Sequence, residues 1–512
     1  MGVAGYYCLV IVLAWSLFLG LLLALFRFLH KVWLTPMRIQ YMMKTQGIEG
    51  PAYKFLHGNT KEISNMIKES MAKPLDNLSH DILPRILPHV HAWVNIYGKN
   101  YLNWYGPQPQ LILTEPELIR EVLNNRGEAY PKIDLEGYAR KLLGDGLSST
   151  KGEKWEKLRK IANHAFHAEG LKSMIPAMVT SAEMMLERWK EYEGKEIEVF
   201  EDFRVLTSEI ISKTAFGSSY LEGKSIFEML MKLTLIVSRN AHKIRFPGLS
   251  RFFRSSDDIE SEKIEQQIKD SILEIIEKRE KSKAREEGSR GSDFLQKLLE
   301  NKWISVEDTV DECKTFYFAG HETTTALLSW TVLLLAVHTD WQEKARREVV
   351  ELFRQKNPTA DGIARLKIVN MIIEESLRLY PPVPFIKRKV ARSTKLGNLV
   401  LPPKMELYIS LLSLHHDPQI WGEDVHIFKP ERFAGRMARA ANIPAATAAY
   451  FPFGFGPRTC VGLNFAVIEA KIVLSMILQR YVLTLSPIYV HSPVQLFMIR
   501  PQHGVKVILH AI

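Results

Sequence analysis

From Tyr6 to Phe26 the chain runs for twenty-one residues without a charge. At 1.5 Å of rise per residue, a helix of that length just crosses a hydrocarbon layer of about 30 Å. Such a stretch constrains the rest of the chain, which must then fold on one side of a bilayer. Arg27, Lys31 and Arg38 follow at once, while only the terminal amine precedes. By the positive-inside rule the following chain lies in the cytosol. A cleaved signal peptide fits poorly, because the run is long, has no basic leading region and ends without a small-x-small site. A buried core helix is the bland alternative, and an uncharged run this long argues against it. Met1-Gly2 hints at myristoylation, but Tyr6 stands where that motif wants Ser or Thr. Asn77-Leu78-Ser79 is a glycosylation sequon that a cytosolic domain would leave unused.

Only three cysteines occur, Cys8, Cys313 and Cys460. An odd, sparse count argues against a disulfide framework and for a reducing compartment. Net charge is +10, yet no basic cluster interleaves with aromatics, and the lysines sit among glutamates. That pattern excludes nucleic acid as the expected partner and suits an acidic protein or an anionic membrane surface.

After a short basic linker, Gly50-Pro51 marks an extended entry to the main domain. Helical periodicity then dominates to about Leu379, clearest in Ile259, Ile264, Ile268, Ile272, Ile275 and Ile276. Lys281 to Ser292 is charged and glycine-punctuated, and reads as a mobile surface loop. Ser305 with Asp308 predicts a capped helix running to about Val337, apolar all round and therefore central. Glu406–Leu412 and Val505–Leu509 read as strands, with Gly504 as a turn. The sum is one large, mainly α domain with a minor β component, residues 31–512, behind an anchor at 1–30.

Four patterns carry chemistry. Phe453-Gly454-Phe455-Gly456-Pro457-Arg458-Thr459-Cys460-Val461-Gly462 makes a rigid loop, with Cys460 just before a helical run from Leu463 to Leu478. Free amides at that helix start favour a thiolate, and Arg458 places a cation beside it. Glu375 and Arg378 share one helix face, followed later by Pro430-Glu431-Arg432-Phe433. Ala319-Gly320-His321-Glu322-Thr323-Thr324 interrupts the apolar central helix with an acid and two hydroxyls. A buried carboxylate there is costly unless paired, and threonines can bond back to the carbonyl one turn earlier. Trp155 and Arg159 stand at i, i+4, and Lys151, Lys154, Lys157 and Lys160 crowd the same helix.

Together these resemble the cytochrome P450 family. The loop matches F-x-x-G-x-R-x-C-x-G, and the other segments match E-x-x-R, P-E-R-F, the (A/G)-G-x-(D/E)-T-(T/S) motif and W-x-x-x-R. Gly47-Ile48-Glu49-Gly50-Pro51 and His57-Gly58-Asn59 look most like the plant microsomal enzymes of clan 72. The resemblance implies the cytochrome P450 fold and haem b with Cys460 as axial ligand to iron, which favours oxygen–oxygen cleavage. It implies Phe453, Gly456 and Gly462 around that ligand, and Trp155, Arg159, Arg388 and Arg458 on the haem propionates. Glu375, Arg378 and Arg432 would form a structural triad, while Thr323 would hold the reacting oxygen and Glu322 deliver protons. His321 fills the x position rather than binding metal.

Implied too are O2, NADPH-cytochrome P450 reductase as electron donor, and an endoplasmic reticulum membrane address with one span. Phe316, Phe318, Ala319, Val383, Phe385 and Ile386, with Tyr130–Leu147 and Phe227–Phe253, are the expected pocket for a bulky apolar ligand, a terpenoid or steroid-like molecule above fatty acids or foreign compounds. A haem-thiolate isomerase or dehydratase, and a non-catalytic haem protein, are the rival readings. The intact acid–threonine pair and haem loop weigh against both.

Overall fold

The structure is a computed structural model that describes residues 2–72, 75, 78–124, 128–218, 220–243, 254–285, 293–437 and 449–512. The sequon at Asn77, the tail of the 227–253 segment and residues 286–292 of the charged loop lie outside these. The rest of that loop is helical, because the helix Ser256–Arg285 outlasts the predicted boundary. Its buried face is Ile264, Ile268, Ile272 and Ile276, one residue every fourth position, while Ile259 stays exposed.

Helix dominates, as read. The central helix, Val306–Val337, begins with a capping box in which the Asp308 amide donates to Ser305 Oγ at 3.0 Å and Asp308 accepts from the Ser305 amide at 3.3 Å. From Thr309 to Ala336 most of its residues are buried. It packs along the helix Val199–Phe216, and Gly320 permits the contact. A Cβ added there would lie 2.7 Å from the Ile211 side chain. Farther along, Trp330 stacks on Tyr380, the residue that ends the helix Ile368–Leu379, at 4.4 Å between ring centroids.

Four strands form one sheet in the order Tyr101–Tyr105, Gln108–Leu113, Glu406–Ser410, Phe385–Lys389. The pairings are antiparallel, parallel and antiparallel in turn. The strand expected over Glu406–Leu412 stops at Ser410, which caps a short helix, Leu411–His415. A second sheet joins Glu196–Glu198, Lys506–Ala511 and Tyr481–Leu485. Gly504 precedes it at φ +70°, in the left-handed region the turn requires.

The amino-terminal segment corrects one expectation. The helix Gly2–Leu29 does not give way to a linker: a π-helical turn, His30–Leu34, carries it into the helix Thr35–Lys44. The stretch Gly5–Lys44 is long and apolar enough to cross a membrane. Its apolar residues from Tyr6 to Phe26 are all exposed, whereas Val32 and Met43 are buried against the domain. The Tyr53 hydroxyl donates to the Val32 carbonyl, and Trp33 meets Phe55 edge-on. Proline at the second position of the last helix suits its first turn, where no amide is needed.

Candidate active site

The loop before Cys460 closes on itself. Its amides donate in series: Gly454 to Phe451 O at 2.9 Å, Thr459 to Gly456 O at 3.0 Å, and Cys460 to Phe453 O at 2.9 Å. Gly456 sits at φ +72°, where a Cβ would also fall 2.6 Å from the Leu123 carbonyl, so glycine is needed twice over. Gly462 then caps the helix Leu463–Leu478, which has the predicted bounds.

Cys460 opens onto a cavity of about 360 Å³ between the loop and the central helix. Deep placement pushes its thiol above the ordinary range, opposed by the Gly462 amide, Arg159 and Lys132. The Gly462 amide at the helix start works toward the thiolate, as the sequence suggests, while burial works against it. A cation at the sulfur is what would hold the anion there.

Four cations reach the same cavity: Lys132, Arg159, Arg388 and Arg458. Arg458 stacks on Trp155, its guanidinium carbon 3.9 Å from the ring centroid, and donates to Thr150 O at 2.8 Å. Its Nη1 is buried with no hydrogen-bond partner among the described residues. Arg159 donates to Thr459 O at 2.6 Å, and Arg388 to Lys387 O at 3.0 Å. Burial pulls Arg388 and Arg458 down to about 10. Lys132 falls to about 7, through burial first and then Arg388 and Arg458. Among the described residues, no carboxylate lines the cavity. Such a cluster is matched by a ligand that brings its own two acids, and haem fits on charge, on the free Arg458 donor and on the thiol.

Sequence reasoning missed Lys132, although it lies in the named 130–147 segment. Lys-Ile-Asp after a proline carries no motif, and its neighbours Arg388 and Arg458 are remote in sequence.

On the opposite wall, Phe316, Ala319, Gly320, Thr323 and Thr324 face the cavity. The Thr323 hydroxyl donates back to Ala319 O at 2.8 Å. Val383, Ile386 and Phe453 also line it. Three of the residues expected in the pocket or the chemistry do not, nor does Gly456 of the loop. Phe318 lies two positions from Phe316 on the helix, so it points away and meets Phe497. Phe385 alternates with Ile386 along its strand and stacks on Tyr408 at 4.6 Å. Glu322 is turned from the cavity face, buried beside His321, whose Nε2 lies 3.3 Å from its carboxylate.

Below the loop, Glu375, Arg378 and Arg432 come together. Arg378 donates twice to Glu375, each time at 2.7 Å, and Arg432 Nε lies 3.6 Å from the same carboxylate. The Lys429 amide adds a bond at 2.9 Å. Unread in the sequence was His415: its carbonyl accepts from Arg378 at 2.9 Å, and its Nε2 accepts from the Phe451 amide at 3.2 Å. It is the direct link from this ion group to the cysteine loop.

The lysine-rich helix offers less free charge than its sequence suggests. Lys151 pairs with Asp134, Lys154 with Asp145 and Asp308, and Lys157 with Glu153.

Comparison with known proteins agrees with this geometry. The family profile described as "Cytochrome P450" matches residues 86–506. "Cytochrome P450 CYP749A22" of Panax ginseng is 57% identical over 96% of this chain and 95% of its own. "Cytochrome P450 72A68" of Medicago truncatula is 40% identical over 95% of each. "11-oxo-beta-amyrin 30-oxidase" of Glycyrrhiza uralensis is 41% identical over 94% of each. Likeness of that extent, end to end, places this chain in the cytochrome P450 family of haem-thiolate monooxygenases.

Proposed function

We propose that the chain is a membrane-anchored monooxygenase that hydroxylates a bulky apolar molecule of terpenoid or steroid-like character. Electrons come from NADPH through NADPH-cytochrome P450 reductase. The observation that carries the reading is four cations sharing with Cys460 a largely apolar cavity that, among the described residues, no acid lines. A relative named for oxidising 11-oxo-beta-amyrin, 41% identical along nearly the whole chain, supports the substrate class. Residues 31–512 form the catalytic domain and residues 1–30 the anchor, with the domain in the cytosol at the endoplasmic reticulum membrane.

Haem, when bound, supplies the oxygen-activating chemistry; the protein binds, orients and tunes. Cys460 would supply the thiolate to its iron, on the loop that carries Phe453, Gly456 and Gly462. Lys132, Trp155, Arg159, Arg388 and Arg458, which line the same cavity, would hold its propionates. The Thr323 hydroxyl, now bonded to Ala319 O, is placed to turn and give a hydrogen bond into the cavity. Glu322 faces His321 in this arrangement, and its proton-delivery role would require its side chain to turn toward Thr323. Glu375, Arg378 and Arg432 hold the loop rigid through His415. Phe316, Val383 and Ile386 exclude water and seat the substrate's apolar face.

Reduction under carbon monoxide tests the ligand: the spectrum of thiolate-bound haem is expected, and that of a histidine-bound haem would overturn the assignment. A panel of triterpenoids, steroids and fatty acids, followed by difference spectroscopy, tests the substrate. Triterpenoids or steroids should perturb the haem spectrum at the lowest concentrations. Tighter binding by fatty acids would sink that preference.

A further inference from the structure

Away from the cavity, three side chains from three separate stretches point at one place. Asp81 precedes the helix Leu83–Ile86, His416 follows the helix Leu411–His415, and His426 lies on the segment leading to Lys429. One ligating atom from each lies within 4.8 Å of the other two. The His416 ring is fixed: its Nε2 lies 3.0 Å from the Leu379 carbonyl, and the residue is only 3% exposed. With Nε2–H donating there, Nδ1 carries the lone pair, and it is buried with no hydrogen-bond partner among the described residues. A ring nitrogen held by a backbone carbonyl on one side and left free on the other is how metal-binding histidines are usually set. The His426 ring lies across it, 5.3 Å between centroids and near perpendicular, with His426 Nε2 3.8 Å from the Asp81 carboxylate.

We propose that Asp81, His416 and His426 bind a divalent transition ion, zinc above all, at a site separate from the haem. The donor set, two imidazoles and one carboxylate, is one zinc takes readily, with water completing a tetrahedron. Ligands around zinc stand ~3.3 Å apart by its bond lengths, so atoms within 4.8 Å of one another must close by up to about 1.5 Å. His416 is rigid, but the side chains of Asp81 and His426 are about two-fifths exposed and free to swing inward. The same exposure gives the ion a way in. Arg378 is the nearby cation that opposes binding, and its bidentate pairing with Glu375 offsets most of that charge. Magnesium and calcium, which prefer all-oxygen shells, suit the site poorly.

Bound zinc would tie the loop at Asp81 to the segment between His416 and Lys429, which also carries the Glu375 contact from the Lys429 amide. The haem-loaded full chain, stripped of loose metal with EDTA, is titrated with zinc chloride against a zinc-responsive dye. One saturable site is expected, weakened at least tenfold by Asp81→Asn or His426→Gln, and unaffected by His503→Gln at an exposed histidine elsewhere. Zinc should also raise Tm in the wild type and not in the Asp81→Asn/His426→Gln double variant. Equal zinc affinity in that double variant, or no saturable binding, overturns the proposal. Both substitutions are at partly exposed positions, so the fold should survive them.

Discussion

Arg378 grips Glu375 through two parallel bonds of 2.7 Å, and neither side chain has any exposed surface. Burial pushes the Glu375 carboxyl up, while Arg378, the Lys429 amide and Arg432 pull it back. A pair this deep contributes little net stability, yet breaking it leaves a stranded charge. Glu375→Gln should cost about 3–5 kcal/mol. The protein should also lose haem, because His415 relays the pair's position to Phe451. Urea melts and the haem-to-protein absorbance ratio check both halves.

Thr323→Ala removes the one hydroxyl on the cavity wall that can turn from Ala319 O toward the substrate side. Coupled hydroxylation should fall about 10²-fold while NADPH consumption persists. Product formed per NADPH consumed is the measurement, and full coupling in the variant would refute the role.

Lys132 tests the reading of the cationic cluster. Lys132→Met should speed haem loss to apomyoglobin by roughly 10- to 100-fold, the size of one charge-assisted hydrogen bond. The fold should survive, since the lysine is partly open to the cavity.

Glu312 on the central helix is 1% exposed, and burial lifts its carboxyl to about 8. Its folded value lies above the unfolded one, so the folded state binds the proton more tightly. Stability tied to this group is present at acid pH and drains away as pH rises from about 4.5 to 8. Glu312→Gln, which mimics the protonated form, should be close to wild type at pH 5. At pH 8 it should be more stable by a few kcal/mol. Thermal melts across that range give the slope.

Local chemistry was readable in the sequence, and relations across the fold were not. The Ser305–Asp308 box and the helix from Leu463 are set by neighbours within four residues. The apolar character of Phe318 and Phe385 was plain, but their facing was misjudged even though helix and strand periodicity held the answer. His415 gains its partners only through folding, across 36 and 37 residues, and Lys132 shares the cavity with Arg388 and Arg458 from far along the chain. Arg27, Lys31 and Arg38 suggested a linker because charge was weighed above the unbroken helical pattern.

That unbroken helix has a mechanical consequence. From Leu29 to Lys44 it forms a stiff lever of ~22 Å, clasped to the domain at Val32 by Tyr53. A tilt of the span would then be passed on to the domain through that continuous helix. Were the span set in a bilayer, lipid thickness would then bear on the angle between the domain and the membrane surface.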